Sequence, residues 1–408
     1  MKKSRVFAFF TALALTAGLL ALPASAAQGE DFVSYACDPS VSAGGSAVLA
    51  GMHVEAGAAI LVDVDYGQVL YAQNAHAKMY PASITKIMTT LLTLEAVDQG
   101  QLSLEQVVTA SENLHAGIGE GASNADIRAG EQMRIIDLLY SAMLPSANEA
   151  CNILAEAVSG SVSSFVALMN QRAEMLGMED THFSNTHGYH DDDHYTSAYD
   201  IALMSRELIL NHPTIREFTT IWMDTLRDGT FQLSNTNRLI FYYEGATGLK
   251  TGFTDTALYC LSATAERDGM ELIAVVMHAP TSNDRFESCK TLLNYGFANY
   301  AIIPVYPDQA IPPVEVLLGA QDTVQPVAAR ECSILLEKSK TGTATTQLEV
   351  AQQVEAPVEP GQKLGELRVL VDGQQVDAID LIAAQEVPRL SIGGIFKRML
   401  DSLFLQHG

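Results

Sequence analysis

The chain has 408 residues, enough for two or three domains, and 48% of them are hydrophobic, so a sizeable core is available. It carries 48 acidic against 24 basic side chains, a formal charge of −24, which argues against nucleic acid and against simple electrostatic adhesion to an anionic membrane. Five cysteines (Cys37, Cys151, Cys260, Cys289, Cys332) are few and odd in number, so no disulfide scaffold is implied, and no CxxC or Cys/His spacing suggests zinc.

In chain order, Lys2, Lys3 and Arg5 precede an apolar run from Val6 to Leu22, and Ala24-Ser25-Ala26 supplies a small-residue cleavage pattern. Residues 1–26 read as a signal peptide, so export is expected. A polar lead follows to about residue 56. Ala58–Val62 and Val69–Tyr71 flank Asp65-Tyr66-Gly67 and predict a hairpin. Helical spacing runs from Ser83 to about Val97 and again near 134–144, 147–158, 162–176 and 198–210. Leu258–Ala263 and Leu272–Met277 flank Asp268-Gly269, a strong hairpin-turn pair, and a helix near 284–299 closes the unit. Strands, then helices, then strands and a helix predict an α+β domain over 27–303, its sheet joining early and late strands.

Pro304, Pro307, Pro312 and Pro313 mark a boundary, and short alternating apolar runs predict a small all-β domain over 310–386. Within 388–408, Ile392, Ile395, Phe396, Met399, Leu400, Leu403 and Phe404 repeat at helical spacing. That helix is about 20 Å long and too charged to span a bilayer. Its apolar stripe suits a membrane interface, the flank of the β domain or a second copy.

Ser83-Ile84-Thr85-Lys86 is the only S-x-x-K in the chain. The spacing puts both side chains on one helix face, with Ser83 at the N-terminus, where free backbone amides favour developing negative charge. A neutral Lys86 activates the hydroxyl, which requires burial and a second cation to lower its pKa. Ser146-Ala147-Asn148 opens a later helix; the hydroxyl suits proton relay and the amide suits a substrate carbonyl. S-x-N also occurs at Ser111-Glu112-Asn113. Lys250-Thr251-Gly252 precedes the apolar hairpin, where an edge strand offers its backbone to an extended substrate. Lys250 supplies the second cation, Thr251 a hydroxyl for a carboxylate, and Gly252 room for close approach. A second K-T-G, Lys340-Thr341-Gly342, lies in a polar stretch without such a hairpin and reads as coincidence.

In this order the three boxes form the set shared by penicillin-binding proteins and class A β-lactamases. The chain resembles the serine D-alanyl-D-alanine carboxypeptidases, the low-molecular-mass penicillin-binding proteins. Tyr80-Pro81-Ala82, Met143–Ala150, Thr181–Gly188, His194–Asp200, Asn235-Thr236-Asn237, Gly248–Asp255 and Asn294–Phe297 extend the resemblance over about 55–300. The later β domain and tail look like that family's as well. The resemblance implies a penicillin-recognising α+β fold with its site between a helical subdomain and a sheet face.

It further implies that Ser83 is acylated by the terminal D-Ala-D-Ala of peptidoglycan pentapeptide stems and by β-lactams, with Lys86 as base and Ser146 passing a proton to the departing D-alanine. The amides of Ser83 and Phe253 form the oxyanion hole, Asn148, Lys250, Thr251 and Gly252 bind substrate, and Arg285 attracts its carboxylate unless it is a surface helix-cap partner. No metal or cofactor is expected. Tyr189 and Leu258 depart from the family pattern, which favours Leu and a small residue, often Gly, at those places. No E-x-x-L-N follows Ser146, which argues against the alternative of a β-lactamase. Intact Lys86 and Ser146 argue against a silent penicillin-binding sensor. His190-Asp191-Asp192-Asp193-His194 has donors for zinc or calcium, although it matches a family loop.

Overall fold

The computed structural model describes Met52 and residues 54–395. The expected signal peptide, and the expected terminal helix beyond Ile395, lie outside these residues. The hairpin near the start is β1 (Ala58–Asp63) and β2 (Val69–Gln73). The middle is mostly helical: α1 (Lys86–Asp98), α2 (Ile135–Met143), α3 (Asn148–Ser159), α4 (Val162–Met175), α5 (Ala198–Asn211) and the short α6 (Ile215–Thr219). Two small two-stranded sheets interrupt it, β3 (Val107–Thr109) with β4 (Gln132–Arg134) and β5 (Met223–Leu226) with β6 (Phe231–Ser234). After α7 (Leu239–Tyr242) come β7 (Ala246–Thr254), β8 (Leu258–Arg267), β9 (Met270–Ala279), α8 (Ser282–Asn299) and β10 (Tyr300–Pro304).

Three of the helices start where a side chain satisfies one of their first amides. Ser161, Ser197 and Thr281 each accept from the amide three residues on, at the N-termini of α4, α5 and α8. Ser83 departs from the expectation of one continuous helix. It sits in a 3-10 turn, Ala82–Thr85, and α1 begins only at Lys86.

The first domain centres on an antiparallel sheet of order β2-β1-β9-β8-β7, so the N-terminal hairpin does join the later strands. Alternate side chains serve opposite faces. Ile60, Val62, Ile273 and Val275 pack on the helices, whereas Leu61, Leu272, Ala274 and Val276 pack with Leu292 and Leu293 of α8. Covering both faces buries all of β1 and leaves β7 at the sheet edge.

The second domain is all β, with β11 (Val314–Leu317), β12 (Thr323–Val324), β13 (Pro326–Ala328), β14 (Ser333–Glu337), β15 (Ala344–Val350), β16 (Gln353–Glu355), β17 (Lys363–Val371) and β18 (Gln374–Ala383). Its larger sheet runs β13-β18-β17-β15. β14 pairs with β10, and Tyr66 Oη lies 2.7 Å from Ser333 Oγ, which ties the second domain to the first. The second K-T-G lies in an exposed 3-10 turn, Lys338–Thr343, between β14 and β15.

Candidate active site

The turn carrying Ser83 is tightly constrained. Ala82 has φ +48°, and Gly188 at φ +83° lies so close that a Cβ there would fall 1.8 Å from the Ala82 carbonyl oxygen. Gly188 must therefore be glycine both for its conformation and for the approach. One helical turn past Ser83, the Lys86 amine reaches back and donates to Ser83 Oγ at 2.9 Å. It also donates to Asn148 Oδ1 at 2.7 Å and to the His187 carbonyl at 2.8 Å, so all three ammonium protons have acceptors.

Burial holds the Lys86 pKa down to about 8, opposed by the Cys151 and Glu149 side chains. Lys250, on β7, is as deeply buried and donates to the Thr251 carbonyl at 3.2 Å. Its pKa is lowered well below the usual lysine value, first by burial and then by the Lys86 charge. Burial is the first cause at both lysines, and at Lys250 the neighbouring Lys86 charge adds to it.

β7 lies directly against the turn bearing Ser83. A Cβ on Gly252 would fall 2.7 Å from the Pro81 carbonyl oxygen and 3.2 Å from Ser83 N. Thr251 Oγ1 is 2.6 Å from Thr236 Oγ1, and Asn237 donates to the Gly248 carbonyl, so the Asn235–Asn237 run secures the strand. Phe253 is half-exposed at the edge and packs on Tyr259, ring centroids 4.4 Å apart. Arg285 is no surface cap partner: it is buried, donates to the Gly252 carbonyl at 3.0 Å, and leaves its Nε without a partner.

Ser146 has φ +68°, is 4% exposed, and its hydroxyl has no hydrogen-bond partner. A buried hydroxyl left without a partner is costly. Asn148 opens α3, and its backbone amide donates to the Ser123 carbonyl.

Sequence reasoning gave no individual role to His187, Thr236, Thr85 or His194. His187 acts through a carbonyl, which every residue has, so nothing in its side chain could have marked it. The candidate metal loop comes apart: His190 lies near the surface, 3.5 Å from Asp192, whereas His194 is buried and meets Thr85 Oγ1 at 2.7 Å. Glu95, Glu207 and His212 bring three possible ligand atoms together, but Arg172 bonds both carboxylates, at 2.7 and 2.5 Å, and supplies the positive charge itself. Cys151, Cys260, Cys289 and Cys332 are unpaired. Burial raises the first two thiols to about 11, in keeping with small apolar residues. Ser111 of the other S-x-N donates to Glu156, and Tyr189 lies against the backbone of Gly119.

Known proteins share this arrangement. The D-alanyl-D-alanine carboxypeptidase family model matches residues 45–281, and that of the penicillin-binding protein 5 C-terminal domain matches 304–389. The D-alanyl-D-alanine carboxypeptidase DacF of Bacillus subtilis is 36% identical over 85% of this chain and 89% of its own length. DacC of Escherichia coli is 31% identical over 86% of this chain and 88% of its own. Among solved structures, penicillin-binding protein 5 of Haemophilus influenzae superposes with a TM-score of 0.73 at 29% identity, covering 83% of this chain and 98% of that one. Penicillin-binding protein D2 of Listeria monocytogenes, in an ampicillin-bound form, gives 0.55 at 34% identity, over 60% of this chain and 99% of that one. With its two domains matched in order, the chain belongs to the D-alanyl-D-alanine carboxypeptidase family, the penicillin-binding hydrolases of this fold.

Proposed function

We propose that this chain removes the terminal D-alanine from peptidoglycan pentapeptide stems through an acyl-enzyme on Ser83, and that β-lactams acylate the same hydroxyl. The observation that carries the reading is the 2.9 Å contact between Lys86 Nζ and Ser83 Oγ, facing the edge of β7. With a pKa of about 8, a minority of Lys86 is already neutral at neutral pH and can take the Ser83 proton. A substrate carboxylate docking at Thr251 stabilises the protonated form of Lys250. That charge in turn favours the neutral base, so the two amines share their protons in response to substrate.

The substrate backbone extends along β7, and its scissile carbonyl oxygen meets the amides of Ser83 and Phe253. Asn148 keeps its oxygen on Lys86 and offers its amide protons to the preceding substrate carbonyl. The unpartnered Ser146 hydroxyl receives its partner with the substrate and relays the proton taken up by Lys86 to the leaving D-alanine nitrogen; water then hydrolyses the ester and frees Ser83. Arg285, behind β7, adds positive field that draws the carboxylate.

Mass spectrometry of a penicillin adduct, with the modified peptide sequenced, tests the nucleophile: it should map to Ser83 and vanish in Ser83→Ala. Release of D-alanine from a diacetyl-Lys-D-Ala-D-Ala peptide tests the activity, and none from wild-type protein would refute it. Slow release of the penicilloyl adduct separates this enzyme from a β-lactamase.

The basic, apolar and small-residue pattern of residues 1–26 supports export to the cell envelope, where such stems are found. The apolar stripe of 388–408 supports peripheral contact with the membrane. Fractionating a chain that ends at Val387 tests the contact; unchanged membrane association would dismiss it.

A further inference from the structure

One imidazole of the His190–His194 loop turns into the protein and ends beside the nucleophile's turn. His194 is 2% exposed. Its Nδ1 accepts from the Ser184 amide at 2.9 Å and from the Asn185 amide at 3.4 Å, so the ring proton sits on Nε2. Nε2 meets Thr85 Oγ1 at 2.7 Å, and Thr85 Oγ1 donates to the Ala82 carbonyl at 2.8 Å. Every proton in this chain has one direction: His194 to Thr85, and Thr85 to Ala82. Burial keeps the ring neutral, with its pKa lowered to about 3, so the direction persists at ordinary pH.

The Ala82 carbonyl belongs to the same planar trans unit as the Ser83 amide. Fixing one fixes the other, pointing opposite ways. Thr85 and the Gly188 backbone grip the carbonyl on one side, while Ser83 N faces the Gly252 segment of β7 on the other. Ala82 holds this orientation at φ +48°, which an unrestrained alanine disfavours. Thr85 and His194 are also fully or nearly fully buried, so neither touches solvent or substrate directly.

We propose that Thr85 and His194 are positioning residues for the oxyanion hole, aiming the Ser83 amide at the developing oxyanion by holding the Ala82 carbonyl. This rests on the acyl-enzyme reading above and deepens it. An oxyanion donor that is out of line loses most in the transition state, so the effect belongs in kcat and acylation rather than in ground-state binding.

The test compares Thr85→Val, which keeps the shape and removes the hydroxyl, with Thr85→Ser, which restores it. Thr85→Val should slow penicillin acylation and peptide turnover by roughly ten- to a hundredfold, with KM changed less than about threefold. Thr85→Ser should recover most of the rate. The ester carbonyl stretch of the benzylpenicillin adduct should move to higher wavenumber in Thr85→Val, as a weaker hydrogen bond requires; a purely structural role would leave it in place. A wild-type rate and band position in folded Thr85→Val, or no rescue by Thr85→Ser, overturns the proposal. Should Thr85→Val fail to fold in thermal melts, His194→Asn releases the Thr85 hydroxyl without removing it, and a wild-type acylation rate there overturns the proposal equally. Release of D-alanine by the wild-type enzyme tests the underlying reading on its own, whereas these comparisons are read in penicillin acylation, so the two fail separately.

Discussion

Ser146 combines an unfavourable backbone angle with an unsatisfied buried hydroxyl. Neither feature helps the protein fold. Ser146→Gly removes both, and is expected to stabilise the chain by about 1 kcal/mol in urea unfolding while lowering peptide turnover by at least ~100-fold. Destabilisation on that substitution would mean that the serine is structural. Lys86 gives a second prediction. As the proposed base it must be neutral for acylation, so the rate should climb with pH and level off above about 8. Its folded pKa lies below the usual lysine value of 10.5, so between those two values the unfolded chain binds more protons, and this contribution to stability rises with pH. A pH–rate profile flat from about 6 to 9 would exclude Lys86 as the base. At this scale the side chains that gather around Ser83 were legible because S-x-x-K, S-x-N and K-T-G specify side chains. The His187 carbonyl and the 3-10 turn under Ser83 were not, because backbone direction leaves no mark in residue type.

Among the elements, β7 lies directly against the turn bearing Ser83. Gly252→Ala places a methyl against the Pro81 carbonyl oxygen, so strand and turn must separate. The expected cost is about 1–3 kcal/mol in stability together with a slower penicillin acylation, measured by melting and stopped flow. A normal acylation rate would show that the contact is not needed. The longer elements could be read from the chain. Asp268-Gly269 announced the β8–β9 turn, and helical spacing near 198–210 announced α5. Strands of three or four residues, in the β3–β4 and β5–β6 pairs, are too short for any period to stand out. Spacing alone does not place β1 between β2 and β9, because that pairing joins residues some two hundred positions apart.

For the whole molecule, the second domain is joined through the β10–β14 pair and through Leu335, which packs into the core beneath α8. Ending the chain at Val305 should lower the melting temperature by several degrees, yet leave penicillin acylation within a few-fold of wild type, since no residue of the site comes from beyond that point. Collapse of acylation in a folded truncation would mean that the second domain shapes the cleft.

An open sheet border invites any neighbouring chain to add itself, including another molecule of the same protein. Here the border strand touches the turn bearing Ser83, with too little clearance at Gly252 for a side chain of its own. A neighbour that pairs with this border must therefore lay an extended backbone past that turn.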